Sequence, residues 1–154
     1  MNQLKRLVVI LVAVLSVAAL VSGCGDDDTD IGTPVEEYTK YLVQQAIDRY
    51  DAEGREAAFE YYSSAESLNG SWYVFIIEGD YLVVNPNRPD LVGTSTAARS
   101  DVNGKPYGKE IVAAGEDGVW VDYFFTHPIT REPTQKFSWA VRHDGLVFGS
   151  GWFE

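Results

Sequence analysis

Residues 118–154 read GVWVDYFFTHPITREPTQKFSWAVRHDGLVFGSGWFE. No other stretch restricts the fold as much, because it holds three strand-like runs in succession. Val119–Phe125 and Lys136–Arg142 are dense in aromatic and β-branched residues, which suit a pleated, half-buried surface. His143-Asp144-Gly145 predicts a tight turn between the second run and the third, since Asp and Gly tolerate the positive φ that a hairpin needs. Leu146–Phe153 follows, and Gly149 and Gly151 within it leave gaps that a neighbouring group must fill or closely approach. Aromatic groups fall on both faces of these strands, which points to a sheet with a pocket for a small molecule.

The chain upstream supplies what such a sheet needs. Thr33-Pro34-Val35-Glu36 combines a capping residue, Pro at the first helical position and Glu at the third, a strong helix start. Val35, Tyr38, Leu42, Ala46 and Tyr50 recur at helical spacing, with Val43 and Ile47 widening the stripe, so Pro34–Asp51 is expected to cover one sheet face. Gly54 can end that helix, and Arg55–Ser64 reads as a second, shorter one. Trp72–Ile77 and Tyr81–Asn85 read as a hairpin joined by Glu78-Gly79-Asp80. Pro86 and Pro89 then break the pattern, Leu91–Gly104 is irregular, and Pro106–Ala114 reads as a short helix. The order implies an α+β fold with an antiparallel sheet, helices on one side and the crossover over the other.

The first 33 residues read differently. Lys5 and Arg6 precede an apolar run from Leu7 to Val21, the layout of a secretory signal. Val21-Ser22-Gly23-Cys24 resembles a bacterial lipobox, which implies a signal peptide over 1–23, cleavage before Cys24, and lipid on its thiol. Cys24 is the only cysteine, so no intrachain disulfide can form. Residues 24–33 are then the lipidated Cys and an acidic, extended linker, and 34–154 the domain. The domain is expected outside the cytoplasm, anchored to the membrane through Cys24; acyl chains add ~0.8 kcal/mol per buried CH₂.

With a formal charge of −11, the chain is not expected to bind nucleic acid, which calls for clustered Lys and Arg. At 154 residues and 45% hydrophobic, it can bury one respectable core. A resemblance now becomes visible in an ordered set of short segments: Trp72–Ile77, Asn85-Pro86, Leu91–Gly93, Asp101–Lys105, Gly118–Tyr123, Lys136–Trp139 and Gly149–Trp152. Together they resemble a single Cache domain of the second type, an extracytoplasmic, PAS-like sensor module, over roughly Pro34 to Glu154. The resemblance implies a five-stranded antiparallel sheet behind a long N-terminal helix, with a small ligand, often a carboxylate, between sheet and crossover. The family more often has His-Pro where this chain has Asn85-Pro86, and Lys-x-Ser-Tyr where it has Lys136-Phe137-Ser138-Trp139. With the sequence ending at Glu154, occupancy is expected to pass to a partner such as a membrane signalling protein.

The chemistry favours binding over turnover. Aromatic walls with a few polar groups are how small-molecule sites are usually built. Tyr73, Trp120, Tyr123 and Trp139 are the candidate walls. Asn85 and Asp122 are candidates to orient the ligand, and Lys136 or Arg99 to pair with an anionic group. Lys136→Ala is expected to weaken binding of a carboxylate by about ten-fold or more while leaving the ligand-free melting temperature almost unchanged; an amine held by Asp122 is the competing reading. His127 and His143 both look like turn residues, and neither paired-His metal spacing nor a nucleophile elbow is present, so no enzyme activity, metal or cofactor is expected. A filled pocket serving only as an envelope interaction module is the alternative, because a fold does not by itself carry function.

Overall fold

The computed structural model describes Pro34–Glu154; the expected signal peptide, the expected lipobox with Cys24 and the expected acidic linker lie outside these residues. Helix α1 spans Pro34–Glu53 and α2 Arg55–Ser63, separated by Gly54 at φ +85°. Strands β1 (Phe75–Glu78) and β2 (Tyr81–Val84) form the first hairpin. The crossover contains the short helix α3 (Tyr107–Val112) and leads to β3 (Val119–Thr126), β4 (Pro133–His143) and β5 (Leu146–Phe153). The sheet is five-stranded in the order β2-β1-β5-β4-β3, antiparallel throughout.

This is the α+β arrangement expected, and most element limits move by only one to three residues. The largest changes, three residues each, are at the starts of β1 and β4. Trp72 makes an isolated bridge with Asn69, and pairing with β5 begins only at Phe75. The turn between β4 and β5 is the two-residue Asp144-Gly145, with φ of +47° and +76° at those positions. Its tip is tied to the end of α1: Tyr50 Oη donates to Asp144 at 2.6 Å, and His143 Nε2 lies 2.8 Å from Asp51.

Side chains alternate along each strand, so the sheet has two differently packed faces. Against α1 and α2 lie Val74, Ile76, Val84, Leu146 and Phe148, meeting Val43, Ala46, Ile47 and Tyr62. The helix stripe is turned slightly from the sequence reading. Thr39, Val43, Ala46 and Ile47 are buried, whereas Val35 is 38% exposed. Against α3 and the crossover lie Phe75, Ile77, Val121, Tyr123, Ala140 and Val147.

The crossover is fastened at both edges of the sheet. On the β2 side, Leu82 donates to Thr94, Gly93 to Leu82 and Thr96 to Asp80 through backbone groups. On the β3 side, the Asp101 carboxylate accepts from Phe124 N at 3.0 Å, and Lys105 Nζ donates to Asp122 O at 2.6 Å and Oδ1 at 2.8 Å. Arg142 of β4 holds the far end of α3, donating Nε to Ala114 O at 2.9 Å and Nη2 to Val112 O. Both sheet edges are therefore occupied, which also blunts edge-to-edge pairing.

Candidate ligand-binding site

The hollow between sheet and crossover exists because the central positions of β5 on this face are Gly149 and Gly151. A Cβ on Gly149 would lie 2.2 Å from the Phe75 ring. One on Gly151 would lie 2.7 Å from Ser138 Oγ and 3.0 Å from Lys136 Cε. The two glycines thus let Phe75 and Lys136 lie flat over the strand, the close approach expected of them.

Lys136 is 1% exposed. Its Nζ donates to Tyr73 Oη at 2.8 Å and lies 4.1 Å from the centroid of that ring. Phe75, Phe125 and Phe153 surround it at 5.3, 5.4 and 5.2 Å. Among the described residues no carboxylate lies within ion-pair distance of it. Burial without a counter-charge lowers its pKa from 10.5 to about 7. Ring quadrupoles recover only part of the lost hydration.

Around this ammonium the phenols stay neutral. Burial pushes the Tyr73 hydroxyl up, opposed by a hydrogen bond with Asn87. The Tyr123 hydroxyl is raised well above its ordinary value, again by burial, and lies 3.1 Å from Ser138 Oγ. Tyr107 of α3 stacks on Tyr123, centroids 4.1 Å apart and planes 4° off parallel, closing the roof. Burial raises the Tyr107 phenol too, with the Arg99 charge and hydrogen bond opposing. Thr96 completes the roof. Its Oγ1 is the one buried side-chain polar atom among the described residues without a hydrogen-bond partner. Buried hydroxyls are normally satisfied, so this one marks a place for another acceptor or donor.

Of the residues picked from sequence, Tyr73, Asn85, Arg99, Tyr123 and Lys136 line this one cavity. Asn85 Oδ1 accepts from Arg88 N at 2.9 Å, which fixes the turn after β2. Trp120, Asp122 and Trp139 are not there, and this corrects the expectation. Strand alternation sends Trp120 and Asp122 to the side opposite Tyr123, and Trp139 to the side opposite Lys136. Trp120, Trp139 and Trp152 form an aromatic cluster beside α1, with Lys40 Nζ 4.8 Å from the Trp139 ring. Asp122 is exposed and held by Lys105 and Gln135, which lower its pKa, so the amine reading loses its residue. The complete burial of Lys136 argues against an unchanged melting temperature for Lys136→Ala, because a residue buried this completely contributes to stability in one direction or the other.

Phe75, Thr96, Tyr107 and Phe125 line the cavity but went unread. Phe75 and Phe125 stand two residues from Tyr73 and Tyr123, on the same faces, so alternation alone could have found them. Nothing in the sequence marked Thr96 or Tyr107.

The side chains leave only ≈ 20 Å³ of free space among them, about one water. A larger cleft of ≈ 430 Å³ lies between α1, α2 and the segment before β1. Its arginine, Arg49, is already paired with Glu53 at 3.0 Å, and it holds no buried unmatched charge. The cavity at Lys136 is therefore the better candidate, despite its size.

Comparison with known proteins agrees with the fold. The profile of the family described as Single Cache domain 2 matches residues 33–146. A periplasmic sensor domain of a chemotaxis protein superposes with a TM-score of 0.60 at 29% identity, covering 76% of this chain and 88% of that one. A methyl-accepting chemotaxis protein from Vibrio parahaemolyticus gives 0.65 at 20% identity, over 77% and 85% of the two chains. A Cache chemosensory domain described for carboxylic acid recognition gives 0.62 at 20% identity, over 77% and 92%. At that identity the last two speak to fold alone. No curated protein sequence matches the chain. The chain belongs to the Single Cache domain 2 family of sensory ligand-binding modules.

Proposed function

We propose that this domain is an extracytoplasmic, lipid-anchored sensor that binds a small carboxylate at Lys136 and passes its occupancy to a membrane signalling partner. One observation carries the reading: a wholly buried ammonium, boxed by four aromatic rings, with no carboxylate to pair with among the described residues. An isolated buried charge is costly, and proteins pair it, neutralise it, or reserve it for a ligand. A carboxylate held at about 4 Å in a site of effective dielectric ~20 would return on the order of 4 kcal/mol before its own desolvation is subtracted. The unpartnered Thr96 hydroxyl supports the same place. So does the structural relative described for carboxylic acid recognition. With ≈ 20 Å³ free, any acid larger than water has to push the Thr96–Tyr107 roof outward.

The test is isothermal calorimetry and thermal shift of the full chain with acetate, propionate, pyruvate and longer acids, beside matched amines. Binding of at least one acid, lost in Lys136→Met, is the expected result. If every acid left the melting temperature unmoved while the folded state was intact, the second reading would take over. That reading, an envelope interaction module with a filled pocket, is favoured by the small free volume alone. Anchoring is tested separately: Cys24→Ala should abolish metabolic lipid labelling, and persistent labelling would remove the lipoprotein claim.

A further inference from the structure

We propose that the site takes a ligand with two acidic groups, one met by Lys136 in the inner cavity and the other by Arg99 at its outer wall. The proposal rests on the carboxylate reading above and adds a second point of recognition to it. Arg99, Tyr107 and Phe125 line both the inner cavity and an outer cleft of ≈ 300 Å³. Arg99 therefore borders both spaces.

Arg99 forms no ion pair among the described residues; Asp90, whose pKa is lowered chiefly by its hydrogen bond with Arg88, feels the Arg99 charge only secondarily. Arg99 Nη2 donates to Leu91 O at 3.2 Å and Thr94 Oγ1 at 2.5 Å, and the side chain is hydrogen-bonded to Tyr107. All three partners are neutral. Neither these bonds nor any ion pair among the described residues neutralises the guanidinium. A guanidinium has five N–H donors in a planar fork, so it can hold these contacts and still receive a carboxylate.

The other charges at the cleft are already committed. Arg88 grips Asp90 with two bonds, Nε to Oδ1 at 2.8 Å and Nη2 to Oδ2 at 2.5 Å. The Asp101 carboxylate accepts the backbone N–H groups of Asn103, Lys105 and Phe124. Elsewhere Arg49, Arg55 and Lys105 are likewise ion-paired. Lys136 and Arg99 thus bring two cations without an ion pair to the lining of one cavity, in a chain of formal charge −11. A monocarboxylate on Lys136 satisfies the first and leaves the second unmatched. A short dicarboxylate satisfies both, and its outer acid group also comes within the range of the Arg88 charge, which faces the same cleft. Arg is suited to this role because a forked donor recognises a carboxylate with orientation as well as charge.

The experiment is calorimetry on the full chain with pairs of acids matched in length, succinate against butyrate and malonate against propionate. Wild type, Arg99→Gln, Arg99→Lys and Lys136→Met are compared. In wild type the diacid of at least one pair should bind ten-fold or more tighter than its monoacid. Arg99→Gln should weaken the diacid at least ten-fold more than the monoacid, erasing that preference, and Arg99→Lys should recover part of it. Lys136→Met should abolish both. Equal affinity for diacid and monoacid in wild type overturns the proposal and leaves the carboxylate reading standing. An equal loss for both acids in Arg99→Gln and Arg99→Lys overturns it too, making Arg99 a latch for the 91–94 segment. If no acid of either kind binds wild type, the carboxylate reading falls together with this one.

Discussion

On the α1 face of the sheet, Val43, Ala46, Ile47, Ile76 and Phe148 close against one another with no charged group buried among them. On the opposite face, Lys136 and Thr96 are buried with the polar atoms of each only partly matched, and Arg99 borders the same space. Both faces are made by the same strands, one residue out of step. The comparison separates two tasks that are often entangled. One face supplies apolar burial, at roughly 25 cal/mol per Å² removed from water. The other gives up stability to keep a charge ready, which is characteristic of binding sites built into folded scaffolds.

The sharpest test is truncation on the apolar face. Phe148 is fully buried at the centre of that cluster, so Phe148→Ala should cost about 3–5 kcal/mol in urea denaturation. A loss under about 1 kcal/mol would mean that face is not where stability resides.

On the cavity face the sign should invert. Holding Lys136 down to about 7 from 10.5 corresponds to a burden on the order of 5 kcal/mol, at 1.36 kcal/mol per pH unit. Lys136→Met removes it and leaves the Tyr73 hydroxyl short of one partner, which returns about 1–3 kcal/mol. The variant should therefore be more stable than wild type at pH 7 by about 2–4 kcal/mol, while losing acid binding. A destabilised Lys136→Met would erase the contrast between the faces.

pH sharpens the same point. Between about pH 7 and 10.5 the unfolded chain carries a proton on Lys136 that the folded chain has released. Stability from this group is thus lowest below pH 7 and rises through that window, by up to about 1.4 kcal/mol per unit. Denaturation midpoints followed across the window should show this slope in wild type and lack it in Lys136→Met. Acid binding runs the other way: an anion favours the charged lysine, so affinity should fall above pH 7 with proton uptake on binding. A pH-independent affinity from 6 to 9 would contradict the pairing.

The smallest effect is expected at Trp120. It belongs to the aromatic cluster beside α1, across the sheet from the cavity, so Trp120→Ala should change acid affinity by less than about two-fold. A larger loss in calorimetry would show the two faces to be coupled.

Much of the fold was legible because its signals are local. Pro34 and Glu36 at a helix start, Asp144-Gly145 between two strand runs, and Gly149 and Gly151 opposite bulky neighbours each act within a few residues. The site was legible only in part. Lys136 and Tyr123 face each other across β3 and β4. Trp120 and Asp122 do not join Tyr123 in the site because odd and even residues of one strand cannot share a face, and Trp139 is kept from Lys136 for the same reason. Period two tells which residues travel together; it does not tell which set meets the crossover. Thr96 and Tyr107 were beyond reach because they come from the crossover, where no periodicity fixes direction and the backbone path is set by bonds to both sheet edges.

The alternation along β4 makes the length of that strand matter as much as its composition. Lys136, Ser138 and Ala140 turn one way, Phe137, Trp139 and Val141 the other. Inserting a single residue between Lys136 and the turn would keep every side chain and exchange their addresses, carrying the lysine among the α1 contacts and an indole into the hollow over Gly151. An insertion of two would restore the frame. Insertions and deletions in this strand are therefore expected to be tolerated in even steps and, unless a β-bulge absorbs the extra residue, to disrupt the site in odd ones.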